Sequence, residues 1–120
     1  MVECVVDLRR AVGRNGEDAA AEHLRRKGYK ILERNWRNGA GELDIVARHK
    51  DELVFVEVRT IEKALFGLPE ESVGPAKQRK LARLATAYVQ HAKHEGDWRI
   101  DVIAIDPDGI RHIENAVSLW

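Results

Sequence analysis

Apolar positions recur along the chain with two different periods. From Arg14 to Lys27, Ala19, Ala20, His23 and Leu24 fall at helical spacing and Gly28 suits the residue just past a helix end, so a first helix is predicted there. Tyr29 to Trp36 alternates weakly and reads as a strand, stopped by Asn38-Gly39-Ala40-Gly41. Two alternating runs, LDIVA (from Leu43) and LVFVEV (from Leu53), flank the polar turn His49-Lys50-Asp51-Glu52 and predict a β-hairpin. The stretch from Ile61 to Gly74 holds Gly67, Pro69 and Gly74 and reads as loop or short turns. Pro75 suits a helix start, and Leu81, Leu84, Ala85, Tyr88, Val89 and Ala92 form one apolar stripe, with Lys77, Lys80 and Arg83 on the other face. After Gly96-Asp97, Trp98 to Ile105 reads as a strand, Pro107-Asp108-Gly109 as a turn, and Ile110 to Ile113 as a short edge strand.

This order predicts an α/β fold with a mixed central sheet flanked by helices. The hairpin is antiparallel, and the helix between the third and fourth strands permits a parallel crossover. At 120 residues one domain with one core is expected. The single cysteine, Cys4, forms no internal bridge, the N-terminal segment does not read as a signal peptide, and no apolar run approaches the roughly 20 residues that span a bilayer. A cytoplasmic protein with no membrane role is expected.

Charge changes the picture through its distribution. Twenty Lys and Arg balance twenty Asp and Glu, which argues against a uniformly basic nucleic-acid binder. Yet Arg9 to Arg37 holds nine basic residues against four acids, and Ala76 to His94 holds five basic residues and no acid. The hairpin between these blocks carries Asp44 and Glu57, each inside an apolar run where a lone carboxylate is poorly placed.

If the turn is centred between Lys50 and Asp51, as an even-length loop requires, Asp44 stands opposite Glu57 and Glu42 opposite Arg59, all on one face. Opposed residues have Cβ atoms about 5 Å apart, and like charges there are destabilising. The pair would share a proton, recruit Arg59, or bind a divalent cation such as Mg²⁺, which takes oxygen ligands. The plainer alternative is two solvated acids at a sheet end, with Glu42 and Arg59 as an ordinary cross-strand ion pair.

At these residues the sequence resembles the PD-(D/E)XK nuclease superfamily: Asp44, twelve intervening residues, then Glu57-Val58-Arg59. More closely it is similar to the YraN-like family of bacterial proteins, through GRNGEDAA, GYKILERNWR, GELDIVA, LVFVEVRT, FGLPEESV and RIDVIAID, from about Gly13 to Asp106. The resemblance implies a restriction-endonuclease-like fold, related to archaeal Holliday-junction resolvases, in which a helical glutamate, here Glu17, also faces the metal. By periodicity alone Glu17 reads as an exposed first-turn acid. Members of the family commonly carry lysine where this chain has Arg59, and arginine stays charged at any working pH, so it cannot act as a general base.

The function expected on this basis is hydrolysis of a nucleic-acid phosphodiester, DNA before RNA, with Mg²⁺ or Mn²⁺. Asp44, Glu57, the Val58 carbonyl and Glu17 are the expected ligands, Arg59 stabilises the transition state, and Glu42 orients Arg59. Arg14, Arg34, Arg37, Lys77, Lys80 and Arg83 are expected to contact phosphates, and Trp36 either stacks on a base or is a half-buried strand-end aromatic. A resolvase-like role would require a homodimer. Two alternatives stand beside this one: a nucleic-acid-binding module without catalysis, which Arg59 favours, and a protein whose basic second helix docks on an acidic partner. His91 and His94 lack a nearby third ligand, and Gly13-Arg-Asn-Gly16 is too short for a phosphate loop.

Overall fold

The computed structural model of the chain describes residues 12–60 and 73–117, with only the backbone for 12–15. The elements are α1 (Val12–Arg26), β1 (Lys30–Asn38), β2 (Gly41–His49), β3 (Glu52–Thr60), α2 (Pro75–Ala92), β4 (Trp98–Asp106) and β5 (Gly109–Ile113). The order matches the expected one. Most of the loop expected from Ile61 to Gly74 lies outside the described residues.

The five strands lie in sequence order, with β3 and β4 parallel and all other neighbours antiparallel. Lys50 takes a left-handed conformation (φ 57°) in the two-residue connection between β2 and β3. That even-length turn gives the anticipated register, from His49 opposite Glu52 to Ile45 opposite Val56.

Alternation along the strands sorts the core into two layers. Leu53, Phe55, Ile100 and Val102 meet Leu81, Leu84 and Tyr88 of α2. Val54, Val56 and Ile103 meet Ala20, Ala21 and Leu24 of α1. The helices thus cover opposite faces of the sheet, which is why its central strands are apolar throughout. Helix α2 starts from Gly74 with Pro75 in its first turn, and ends where Lys93 turns left-handed and its N–H reaches the Gln90 carbonyl.

On the α1 face Asp101 is fully buried (0 % exposed). It accepts from Arg99 Nε (2.9 Å) and the Asn115 N–H (2.9 Å), and lies 2.7 Å from His112 Nε2. Arg99 continues to the Tyr29 hydroxyl (2.7 Å) and to Glu52. Burial alone would raise the Asp101 pKa, but these partners outweigh it and hold the carboxyl below its ordinary range.

Candidate functional site

The site begins where the sheet loses its regular alternation. Residues two apart on a strand normally share a face. Here Arg34 turns to α1, pairing with Asp18 (2.7 Å) and Glu17 (3.7 Å), whereas Trp36 packs on Tyr88 of α2. Their register partners reverse in the same way: Ile45 belongs to the α1 layer and Leu43 to the α2 layer. Between these rungs lie Asn35, in a left-handed conformation (φ 57°), and Asp44. A left-handed residue is the backbone's means of turning the strand over, and asparagine tolerates it better than most side chains.

Strands β2 and β3 separate at the same level. Their ladder ends at Ile45 and Val56, and the N–H of Val58, which by continued register would face Leu43, instead donates to Asp44 Oδ2 at 2.9 Å. Val58, expected to offer its carbonyl to a metal, is thus tied to the site through its amide.

Asp44 and Glu57 meet in the opening. Glu57 is 5 % exposed, and its carboxyl is pushed up to about 7, first by burial and then by the charge of Asp44. Asp44 is also raised, chiefly by burial, against the hydrogen bonds from Val58 and with Glu57. Two cations flank the pair: Lys77 Nζ from α2 lies 3.4 Å from Glu57 Oε2, and Arg59 Nη1 lies 3.7 Å from the same oxygen. Even with both in place the surroundings disfavour the fully ionised pair, so further positive charge is favoured there.

Glu42 departs from its expected role. Its place in the register is opposite Arg37 on β1, with which it forms an ion pair (3.4 Å), and Arg59 reaches Glu57. With its amide oriented to satisfy both neighbours, Asn35 donates to Glu42 Oε2 (2.8 Å) and Glu17 Oε1 (3.2 Å). Glu17 is therefore a half-buried acid held by Asn35 and Arg34. Its pKa is raised, first by burial and then by the charge of Asp44, so it stands within the field of the pair.

The donor set fits one kind of metal. Among the described residues no three His, Cys, Asp or Glu side chains gather into a closed cage. Mg²⁺ needs no such cage: it keeps its waters and takes one or two protein carboxylates together with substrate phosphate. The carboxyl pair of half-buried Asp44 and buried Glu57 meets that need.

Of the expected phosphate contacts, Arg37, Lys77 and Lys80 line a groove beside Asp44, while Arg83 is exposed further along α2. Arg34 is committed to α1, and its Nε is buried without a hydrogen-bond partner. Trp36 takes the second of its two expected positions: its ring is half-buried, with its centroid 5.2 Å from that of Tyr88 in an edge-on contact. The side chain of Arg14 lies outside the described residues. Two contributions escaped the sequence, namely Lys77 beside Glu57 and the bridging Asn35. A lysine next to Pro75 carries no local sign of a partner twenty residues away, whereas a polar residue at a strand's midpoint before Trp36 was a usable hint of irregularity.

Among the described residues no helix is long and apolar enough to cross a membrane. The chain is 47 % identical over 105 residues to a UPF0102 protein of Thermodesulfovibrio yellowstonii, covering 88 % of this chain and 94 % of the relative. It is 52 % identical over 116 residues to a UPF0102 protein of Syntrophotalea carbinolica, covering 92 % and 94 % respectively. A UPF0102 protein of Persephonella marina is 44 % identical over 108 residues, covering 89 % and 93 %. The family model described as "Uncharacterised protein family UPF0102" matches residues 16–105, which takes in α1 from Gly16, the parted strands, Lys77 and β4 up to Ile105, and the chain belongs to that family.

Proposed function

We propose that the protein is a metal-dependent nuclease that hydrolyses a phosphodiester bond at Asp44 and Glu57. The observation that carries this reading is the pair itself: two carboxyl groups brought together at a break in the sheet, one of them nearly fully buried, with two cations alongside. Such an arrangement costs stability, and a binding task for the acids accounts for it.

In this mechanism Asp44 and Glu57 would hold a divalent cation, Mg²⁺ or Mn²⁺, and the Val58 N–H fixes Asp44 in place. The cation, when bound, supplies Lewis acidity to a phosphate oxygen and lowers the pKa of water. A water oxygen attacks phosphorus and gives up a proton to solvent, the ester P–O bond breaks, and the departing oxygen takes a proton from solvent. Lys77 and Arg59 face the negative charge that grows on the phosphate oxygens, and fixed cations at that point stabilise the transition state more than the ground state. Arg59 does this without exchanging a proton. Glu17 and Glu42, joined by Asn35, orient the rim of the site.

The test is purified protein with Mn²⁺ or Mg²⁺ on labelled single-stranded, duplex and branched nucleic acids, beside Asp44→Asn and Glu57→Gln. Cleavage by the wild type that both substitutions abolish is the expected result. Activity surviving both would overturn the reading. The second reading, a binding module without catalysis, draws on Arg59 in the lysine position; nucleic-acid binding with neither cleavage nor heat of Mg²⁺ binding would favour it.

A further inference from the structure

The groove beside the acidic pair is larger than the pair requires. It encloses about 570 Å³ between the turn joining β1 to β2 and α2, with Asp44 and Glu42 among its lining residues. We infer that this groove is the track of one unpaired nucleic-acid strand, gripped through its phosphates and not read through its bases. The inference rests on reading the acidic pair as a phosphodiester site, and it names the form of substrate that reaches that site.

Size is the first argument. Clefts of about 300–1,000 Å³ suit a drug-sized ligand, the scale of one nucleotide. A duplex needs a much larger contact, with about 1,000–2,500 Å² of protein surface buried in specific complexes. A single strand can descend between the two walls to Asp44.

The distribution of charge is the second. Arg37 stands on the β1 wall, and Lys77 and Lys80 stand on the α2 wall. Arg37 pairs with Glu42 and Lys77 with Glu57, but both cations stay open to solvent (74 % and 40 % exposed), so a phosphate still reaches them. Lys80 is exposed and makes no ion pair among the described residues, which leaves its charge for a ligand. Its stem crosses the groove over Gly41: a Cβ on that residue would come within 2.8 Å of Lys80 Cε and 3.3 Å of Leu84 Cδ1. Gly41 also holds φ +153°, so glycine serves both the turn and the path of the lysine.

The lining supplies the third. Among the described residues no aromatic side chain borders the groove, and the half-buried ring of Trp36 packs on Tyr88. Strand binders that stack bases gain about 1–3 kcal/mol from each. A groove with cations and no stacking platform binds backbone of any sequence.

The experiment is fluorescence anisotropy of the full chain in Ca²⁺ with labelled oligothymidine, a mixed-sequence oligonucleotide, the blunt duplex of that sequence, and the same duplex with an unpaired tail. The two strands should bind within about threefold of each other, the tailed duplex with them, and the blunt duplex at least about tenfold more weakly. The slope of log K against log salt for the strand should be about −2, from three cations at about 0.7 each. Lys80→Ala and Arg37→Ala should each flatten it by about 0.7 and weaken binding about fivefold, with unchanged thermal stability. Equal affinity for strand and blunt duplex, a strong base preference, or indifference to both substitutions overturns the track. Groove-dependent binding without cleavage supports the track and removes the nuclease reading. Cleavage that needs Asp44 and Glu57 but ignores Lys80 and Arg37 does the reverse.

Discussion

Lys77 Nζ of α2 lies 3.4 Å from Glu57 Oε2 of β3, so a helix supplies the ammonium group that the third position of Glu57-Val58-Arg59 does not. Two substitutions separate the two cations. Lys77→Ala is expected to lower kcat by about 100- to 1,000-fold, the scale for losing one charge-stabilising group. Arg59→Lys, which places a second ammonium beside Glu57, is expected to change kcat by no more than about threefold, because an ammonium already stands there. Single-turnover rates on a labelled strand check both. A large gain from Arg59→Lys would mean that Lys77 does not serve the reacting phosphate.

The acidic pair should cost stability when no metal is present. The Glu57 carboxyl sits at about 7 after Lys77 and Arg59 have made their contributions, so its environment is net unfavourable to the charged form. Between the unfolded value near 4.5 and about 7 the folded chain holds the proton more tightly than the unfolded one. The stability due to the neutral group is thus complete below about 4.5 and lost as pH rises through about 7. Glu57→Gln in EDTA at pH 8 should be more stable than wild type by on the order of 2 kcal/mol, and the two should converge toward pH 4. Urea denaturation at both pH values checks this.

Asp101 has the opposite sign. Its folded pKa is depressed, so its contribution is present above the unfolded value of about 3.9 and is lost as pH falls toward the folded one. Asp101→Asn leaves the Arg99 guanidinium facing a group that cannot balance its charge, at a cost of about 3–5 kcal/mol. Thermal melts from pH 7 down to pH 3 should show the wild-type melting temperature falling below about pH 4 more steeply than that of the variant.

Gly16 of α1 sets how closely that helix approaches β3. A Cβ there would fall 2.4 Å from Thr60 Oγ1, so Gly16→Ala forces Thr60 to rotate or α1 to move. The single substitution should cost about 1–2 kcal/mol despite the better helix propensity of alanine. Adding Thr60→Ala should recover most of it. A double-mutant cycle from denaturant curves checks the coupling.

Much of the frame was legible because it depends on local periods. A side-chain repeat of two identified the hairpin strands, a repeat near 3.6 identified both helices, and an even-length turn at Lys50 and Asp51 set a register that holds as far as Ile45 opposite Val56. Beyond that rung the same arithmetic no longer applies. Continued register would pair Glu42 with Arg59, but the ladder stops at Ile45 and Val56, and Glu42 pairs with Arg37 instead. Trp36 was open to two readings, and only its packing on Tyr88 distinguishes them.

By itself the sequence determined which segments are helix and strand, in what order they come, and that two acids occur within apolar strands, since each of these follows from short-range spacing. Tertiary structure decided what those acids face. The reversal at Asn35 and Asp44, the arrival of Lys77 at Glu57 and the enclosure of Asp101 by Arg99 and His112 all arise where separate elements pack together. Such contacts are chosen by the fit of surfaces distant along the chain, and no local pattern encodes them.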